Sequence, residues 1–257
     1  MQLPYRMERS VMIQARPETV FAFFSDSARW AKWWGQGSTI EARSGGKVYI
    51  RHPNGVETLG EVLEVKPPSR IVFTYGFAGG KPIPLNGSRV TINLEACEAG
   101  TRLHLVHEFS DAAQRDHHVQ GWRFQLSVFA NVVADEVFAG AAEIADAWFE
   151  AWAITDDGAR DQAFTRIAAP DVTFRDRWGL LQGIGDLSAH AGASQKFMPG
   201  IRMRRAGDAR QCQGTVLADW KALDAEGKER MSGTNVFVLR PDGRIQTATG
   251  FANPAAK

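Results

Sequence analysis

Residues 101–137 have the sequence TRLHLVHEFSDAAQRDHHVQGWRFQLSVFANVVADEV, which combines two different periodicities of apolar residues. In its first part every second side chain is apolar or aromatic, a pattern typical of a half-buried strand. Its second part repeats apolar residues at helical spacing, which predicts a long amphipathic helix. The strand face carries Leu103, Leu105, His107 and Phe109, and the helix stripe carries Val119, Trp122, Leu126, Phe129, Val133 and Val137. We therefore expect a long helix packed against a sheet.

The segment before this stretch supplies the rest of that sheet. A first strand is predicted around Val11, a helix begins at Pro17, and a second helical piece covers 27–34. Further strands are predicted at 38–43, 47–52, 57–66, 70–77, 88–96 and 101–109. Turn residues separate them, as in Pro53-Asn54-Gly55. Consecutive strands joined by short turns indicate an antiparallel meander.

A new succession of elements begins around residues 139–142. A helix carries Ile144, Trp148 and Trp152, and the next elements are a helix over 159–168, a strand over 172–178 and a helix over 184–195. Strands at 201–207, 211–223, 228–240 and 244–251 end the chain. Helices followed by long antiparallel strands form a second α+β plan. We therefore predict two domains, 1–138 and 139–257.

The charge of the chain is balanced, at a formal net +1. Residues 1–138 hold 15 Lys and Arg against 14 Asp and Glu, and residues 139–257 hold 15 against 15. Neither half has the basic excess of a dedicated nucleic-acid binder, and no run approaches the roughly 20 apolar residues of a membrane span. Cys97 and Cys212 suggest neither a disulfide framework nor a metal site. Residues 1–10 lack the apolar core of a secretory signal, so the expected compartment is the cytoplasm.

Several motifs of the first half carry a family resemblance. They are Ala15 to Phe21, the Trp30-x-x-Trp33-Trp34 cluster, Gly45-Gly46, Gly60 to Leu63, Pro67-Pro68, Phe73-Thr74-Tyr75 and Gly121-Trp122. In these motifs the first half resembles the START-like (SRPBCC) superfamily, in the branch named after the activator of heat-shock-protein-90 ATPase. The resemblance implies a helix-grip fold, in which a curved antiparallel sheet surrounds a long C-terminal helix. The space between them is the expected binding cavity.

The second half carries a different set of motifs. They are Ala151-Trp152, Ala169 to Asp176, Gly183-Ile184, Pro199-Gly200 and Asp242 to Ile245. In these motifs it resembles the SnoaL-like group of the nuclear-transport-factor-2-like superfamily. The resemblance implies an α+β conical barrel. This group contains polyketide cyclases, ketosteroid isomerases and dehydratases beside many non-enzymes, so the fold alone does not decide the chemistry.

Asp176 is the leading candidate for chemistry. On the predicted strand 172–178 it shares a face with Phe174 and Trp178. Burial among such side chains would raise the pKa of its carboxyl group, which suits a general acid or base. His190 is the candidate partner, as a proton donor or substrate contact. The alternatives are a solvent-exposed or arginine-paired carboxylate and an ordinary surface or core histidine.

The expected ligand-binding side chains are mostly large aromatics. In the first domain they are Trp30, Trp33, Trp34, Phe73, Tyr75, Leu105, His107 and Trp122. In the second domain they are Trp148, Trp152, Trp178, Trp220 and Asn235. Core packing is the alternative interpretation for all the aromatics, and the tryptophans of the first domain either cap a cavity or fill it. No phosphate-binding loop, catalytic triad or zinc spacing is present, so no cofactor or metal is predicted.

Three functions follow from these patterns. The first is binding or processing of a small hydrophobic molecule that is polyketide-like, aromatic or lipid-like. The second is a non-enzymatic, chaperone-associated or regulatory module whose cavities are packed shut. The third is a cofactor-free isomerase, cyclase or dehydratase that uses Asp176 and His190. Cavity volume and polarity discriminate among them. The expected partner is a small molecule rather than nucleic acid or a membrane, and a homodimer is left open.

Overall fold

Both halves of the chain combine helices with mainly antiparallel strands in a computed structural model that describes residues 2–254. The chain divides into two units, Met1–Ala134 and Asp135–Lys257. Each unit has its own sheet, so the predicted α+β fold class is confirmed. The division falls in the last turn of a long helix. The domain boundary at residue 138 remains a prediction about independent folding.

The first sheet has seven strands. They are β1 (Tyr5–Ile13), β2 (Thr39–Ile40), β3 (Lys47–Arg51), β4 (Glu57–Lys66), β5 (Arg70–Phe77), β6 (Ser88–Cys97) and β7 (Gly100–Phe109). Their order is β1-β7-β6-β5-β4-β3-β2, and every neighbouring pair is antiparallel. Strands β2 to β7 therefore form the meander that the turn residues predict, and β1 pairs with the last strand at the edge.

Three helices complete the first unit. They are α1 (Pro17–Ser25), α2 (Ser27–Trp34) and α3 (Ala112–Val137). Asp26 caps α2, because its carboxylate accepts a 2.8 Å hydrogen bond from the backbone N–H of Arg29. Gly35 ends α2 at a φ of +143°, where an added Cβ would collide with the carbonyl oxygen of Arg51. The chain can leave α2 in this direction only with glycine at this position.

Helix α3 packs against the sheet and against the two short helices. Nε1 of Trp122 donates a 2.9 Å hydrogen bond to Nδ1 of His107 on β7. The ring of Phe129 lies 4.9 Å from that of Trp33 on α2 and 5.9 Å from that of Phe23 on α1. A long helix held between a sheet and two short helices is the helix-grip arrangement that the sequence predicts.

The second unit places three helices against a second sheet. The helices are α4 (Ala141–Ala151), α5 (Asp157–Ile167) and α6 (Gly183–Phe197). The strands are β8 (Ala168–Arg175), β9 (Leu180–Gln182), β10 (Arg202–Arg205), β11 (Arg210–Cys212), β12 (Thr215–Leu223), β13 (Glu229–Leu239) and β14 (Ile245–Ala252). Their order is β10-β12-β13-β14-β8-β9, with β11 also paired to β12. Strands β14 and β8 run parallel, and the other pairs are antiparallel.

A buried arginine joins α5 to α6. The side chain of Arg160 is 3% exposed. Its Nε donates to the carbonyl oxygen of Ser188 and its Nη1 to that of Ile154, both at 2.8 Å. An added Cβ at Gly192 on α6 would collide with the guanidinium, so the absence of a side chain there makes room for it. The cation therefore links the connection between α4 and α5 to the interior of α6.

Three strand predictions differ from the structure. The predicted strand 172–178 is wrong at its end, because β8 stops at Arg175 and residues 176–179 form a tight turn. The predicted strand 211–223 is two strands, β11 and β12. They are separated by Gln213 and Gly214, whose φ values of +47° and +80° indicate a two-residue type I′ hairpin turn. The short strand β9 was not predicted.

Candidate functional site

A cavity of about 500 Å³ lies in the second unit. Residues of α6 and of strands β8, β10, β12, β13 and β14 form its wall, which is mainly apolar. The polar side chains on the wall are those of Asp176, His190, Ser194, Gln195 and Asn235. Small-molecule sites typically enclose about 300–1,000 Å³ and combine an apolar wall with a few polar groups. This cavity has the size and composition of such a site.

Asp176 reaches the cavity wall from a turn rather than from a strand. Its Oδ1 accepts hydrogen bonds of 2.7 Å from the backbone N–H groups of Trp178 and Gly179. Its own N–H donates to the carbonyl oxygen of Gly179 at 3.0 Å. Short polar side chains that accept from the backbone two and three residues ahead stabilise such turns. The turn fixes one carboxylate oxygen and leaves Oδ2 without a hydrogen bond within the described chain.

His190 lies beside the same turn. A Cβ added to Gly179 would lie 3.4 Å from Nε2 of His190 and 3.6 Å from Oδ1 of Asp176. The imidazole and the carboxylate therefore flank one glycine, although no hydrogen bond of the described residues joins them directly. The ring of His190 meets that of Trp152 edge to face at 5.8 Å. The two candidate residues for proton transfer thus lie on one wall, near the position that a Cβ of Gly179 would occupy.

Asn235 is held in the wall by a tryptophan. Nε1 of Trp220 donates a 3.0 Å hydrogen bond to Oδ1 of Asn235, and only 4% of the asparagine is exposed. The indole lies against Gly233, where an added Cβ would be 2.6 Å from Cζ2 of Trp220. Asn235 and Asp176 lie close together beside Gly250 on the adjacent strand. A Cβ added to Gly250 would lie 3.3 Å from Oδ1 of Asn235 and 3.3 Å from Cβ of Asp176.

Aromatic rings and thioethers make up much of the apolar wall. The rings of Trp152 and Phe174 meet at 5.5 Å. Met198, Met203 and Met231 also line the cavity, and flexible thioethers adapt to ligands of different shape. Several large apolar side chains on the wall are exposed to solvent, namely Trp178 at 56%, Phe197 at 87% and Met198 at 40%. Exposed apolar side chains of this kind favour entry of an apolar molecule.

Most of the residues predicted to bind a ligand in the second domain lie on this wall. Asp176, His190, Trp152, Trp178, Trp220 and Asn235 all do. Trp148 does not belong to the wall, because it is fully buried and its ring packs 5.4 Å from Phe237 and 5.5 Å from Phe164. The prediction omitted the methionines, although Met231 shares one face of β13 with Asn235. Period-two alternation along that strand is the signal that could have identified it.

The residues predicted to bind a ligand in the first domain form a packed aromatic core. None of the eight is more than 6% exposed. Ring pairs connect them, with Trp33 and Trp34 at 4.4 Å, Trp30 and Phe73 at 5.9 Å, and Trp34 and Trp122 at 5.6 Å. Tyr75, Leu105 and His107 complete the set. This packing corresponds to the filled alternative that the sequence left open.

A chain of hydrogen bonds crosses this core. Ser88 donates from Oγ to the carbonyl oxygen of Tyr75 at 2.8 Å, so this Oγ accepts from Nε2 of His107, which lies 2.8 Å away. Nδ1 of His107 accepts from the indole of Trp122 at 2.9 Å. An indole N–H can only donate, so this imidazole is neutral with its proton on Nε2. Burial, and then the charge of nearby His118, hold the pKa of His107 well below its ordinary value.

Burial also shifts the pKa values of other titratable groups in and beside this core. Burial is the main cause that lowers the pKa of His118 and the pKa of His52. Burial raises the pKa of Tyr75 to about 12. His52 lies at a surface depression whose other residues are Gly35, Gln36, Gly37, Arg51, Pro53 and Gly55. None of the predicted binding residues lines this depression.

Across residues 2–254, no group of three or more His, Cys, Asp or Glu side chains is placed to hold a metal ion. No helix in the same part of the chain is long and apolar enough to cross a membrane.

Comparison with known proteins gives one family match. Residues 14–134 match the family described as Activator of Hsp90 ATPase homolog 1-like protein. Among curated proteins, none matches the chain.

Several solved structures are similar to parts of the chain. One is a proposed isomerase of the SnoaL-like family from Agrobacterium tumefaciens, with 24% identity, coverage of 44% of this chain and 96% of that chain, and a TM-score of 0.42. Another is a protein from Chromobacterium violaceum, with 27% identity, coverage of 50% of this chain and 96% of that chain, and a TM-score of 0.42. A protein from Mesorhizobium loti has 18% identity, coverage of 50% and 96%, and a TM-score of 0.45.

The family match begins one residue after the end of β1 and ends within α3. It therefore contains the motifs on which the resemblance of the first half rests. Residues 14–134 are thus similar to the Activator of Hsp90 ATPase homolog 1-like family, the resemblance that the sequence predicts for the first half.

Proposed function

We propose that the second unit binds a small, mainly apolar molecule in the cavity beside α6. The observation that carries this proposal is the cavity of about 500 Å³, with an apolar wall in which Asp176, His190 and Asn235 are brought together around Gly179 and Gly250. An apolar volume supplies affinity through burial of the ligand, and a few polar groups supply orientation. This combination favours ligand binding over a cavity that is packed shut.

A cavity-filling variant tests this proposal. Ala193 lies on the cavity wall, whereas Ala189, one helical turn earlier on α6, is exposed and does not line the cavity. We expect Ala193→Leu to weaken binding of the bicyclic probe 1-tetralone by about tenfold, because added methyl groups occupy the ligand volume. Ala189→Leu, the matched control, should bind the probe like the wild type. Equal binding by both variants and the wild type, measured by calorimetry, would place the probe elsewhere.

Proton transfer is the second candidate function, and the arrangement around Gly179 favours it. A carboxylate with one oxygen without a hydrogen bond in the described chain and an imidazole on the same wall are suited to general acid–base chemistry. In this function Asp176 removes a proton from a carbon beside a carbonyl group and returns it. In D₂O the wild type should accelerate deuterium uptake at C2 of 1-tetralone, and Asp176→Asn should not. If the wild type takes the rate of deuterium uptake no higher than the rate without protein, this chemistry is excluded for the probe.

For the first unit we propose a non-enzymatic role in stability or in contacts with other proteins. The observation that supports it is the aromatic core beside α3, whose rings are buried and packed against one another. A saturable shift of first-unit side-chain resonances with 1-tetralone would contradict this role, and their constancy would support it.

A further inference from the structure

The amide of Asn235 has a defined orientation. An indole N–H is a donor only, so the atom of Asn235 that lies 3.0 Å from Nε1 of Trp220 is the carbonyl oxygen Oδ1. The indole is packed closely against Gly233, where an added Cβ would lie 2.6 Å from Cζ2 of Trp220. The amide nitrogen Nδ2 is therefore held on the side of the amide away from Trp220.

This amide nitrogen is a donor without an acceptor. Asn235 lines the cavity and is 4% exposed, and no hydrogen bond from Nδ2 is found within residues 2–254. Nδ2 is not among the fully buried polar atoms that lack a partner, so it is accessible to an acceptor atom in the cavity. A ligand atom that accepts from Nδ2 would give this donor a partner on binding.

The surroundings of Asn235 limit the kind of acceptor. No Lys or Arg side chain is among the described residues that line the cavity, and Asp176 is close to Asn235, since a Cβ added to Gly250 would lie 3.3 Å from Oδ1 of Asn235 and from Cβ of Asp176. A ligand carboxylate or phosphate in this position would lack a cation and would be repelled by Asp176. A neutral oxygen such as a carbonyl has neither disadvantage.

We propose that the ligand of this cavity is an apolar molecule with a neutral carbonyl oxygen, which accepts a hydrogen bond from Nδ2 of Asn235. Trp220 is a positioning residue, because it orients the amide of Asn235 without contacting the carbonyl oxygen of the ligand. This inference rests on the proposed binding function and adds the chemical class of the ligand. The carbonyl oxygen bound in this way brings its neighbouring carbon atoms toward Asp176 and His190.

A matched pair of probes tests the hydrogen bond. The ketone 1-tetralone and the hydrocarbon tetralin share one bicyclic skeleton, and only the ketone has an acceptor. The measured quantity is the ratio of the tetralin and tetralone dissociation constants, obtained by calorimetry on the full chain. Asn235→Asp replaces the donor with an acceptor, and we expect it to lower this ratio at least about fivefold. Trp220→Phe should also lower it, because the amide loses the group that orients it.

Controls separate this effect from loss of structure. Asn54→Asp, in an exposed turn of the first unit, introduces the same charge away from the cavity and should leave the ratio at the wild-type value. If Asn235→Asp does not fold, Asn235→Leu takes its place, since leucine has a similar shape and no donor. Because Trp220 and Asn235 also line the cavity, the ratio of the two dissociation constants is compared among the folded variants rather than the affinity for either probe alone.

The possible results are distinguishable. An unchanged ratio in every Asn235 variant would overturn the proposed hydrogen bond while leaving the binding function intact. A reduced ratio in Asn235→Asp with a wild-type ratio in Trp220→Phe would support the donor and overturn the positioning role. Failure of the wild type to bind either probe would contradict the binding function itself.

Discussion

The indole nitrogen of Trp122 lies 2.9 Å from Nδ1 of His107, and this hydrogen bond exists only while the imidazole is neutral. Protonation would place a second N–H against the indole N–H and would put a positive charge in a fully buried site. The contact between α3 and β7 therefore depends on the protonation state of one histidine.

The first prediction is that acid destabilises the first unit. Burial lowers the pKa of His107 in the folded state, whereas its ordinary pKa in the unfolded chain is about 6.5. At a pH between these two pKa values, the unfolded state binds a proton that the folded state does not. The free energy of unfolding should therefore fall as the pH drops below about 6.5, by up to about 1.4 kcal/mol per pH unit from this group. His52 and His118, whose pKa values are also lowered, act in the same direction.

Urea unfolding of the full chain, followed by tryptophan fluorescence between pH 7.5 and pH 5, measures this slope. His107→Gln has no titrating ring, so this variant should be less stable than the wild type at pH 7.5 but should lose less stability on acidification. A variant with the same pH slope as the wild type would show that His107 does not carry the effect.

The second prediction concerns Arg160. Its guanidinium satisfies the carbonyl oxygens of Ile154 and Ser188, and methionine can fill the same volume but cannot donate. We expect Arg160→Met to lower the free energy of unfolding by about 2–4 kcal/mol, because buried carbonyl groups lose their donors. Arg166, which is exposed near the end of the same helix, offers a control, and Arg166→Met should change the stability by less than about 0.5 kcal/mol.

The third prediction contrasts Gly233, which packs against Trp220, with Gly250, which lines the cavity. A Cβ at Gly233 would overlap the indole of Trp220 and the neighbouring backbone, whereas a Cβ at Gly250 would lie 3.3 Å from Asn235 and Asp176. Gly233→Ala should therefore destabilise the second unit by about 1–3 kcal/mol. Gly250→Ala should fold with nearly unchanged stability and should weaken binding of 1-tetralone. Thermal unfolding and calorimetry distinguish the two effects, and equal behaviour of the variants would mean that the wall is not as tight as the structure indicates.

The fourth prediction is that the two predicted domains fold independently. A cut after residue 140 keeps α3 whole and leaves α4 to α6 with the second sheet. Fragments 1–140 and 141–257 should each show cooperative thermal unfolding by circular dichroism. If both fragments are unfolded while the full chain is stable, the chain is one cooperative unit and the predicted boundary has no energetic meaning.

The fold was predictable where the side-chain periodicity was strong. The alternation in 101–109 and the helical stripe that follows it correspond to β7 and α3. At Asp176 the periodicity was a weaker guide. Alternation predicts that Asp176 lies within a strand. Its carboxylate instead accepts hydrogen bonds from the N–H groups of Trp178 and Gly179, in a turn that ends the strand. The Asp-x-x-Gly spacing is a turn signal that competes with alternation, and at this position it prevails.

The candidate site could be predicted only in part. Sequence patterns identified single residues of the wall, such as His190 and Asn235, from their residue types and faces. The close approach of Asp176 to Asn235 across Gly250 depends on the register of neighbouring strands, which periodicity alone does not determine. The same limit applies to the tryptophans of the first domain, because only packing distances distinguish a filled interior from an open one.

The methionine methyl groups report directly on whether the cavity of the second unit binds a small apolar ligand. Of the six methionines in the chain, Met198, Met203 and Met231 line this cavity, whereas Met7 and Met12 lie on β1 of the first unit. The experiment titrates the full chain, labelled with ¹³C at the methionine methyl groups, with 1-tetralone and records the methyl resonances by NMR. We predict saturable shifts of the three cavity resonances and constant positions for Met7 and Met12. Constant cavity resonances up to the solubility limit of the probe, or shifts confined to the first unit, would contradict the account.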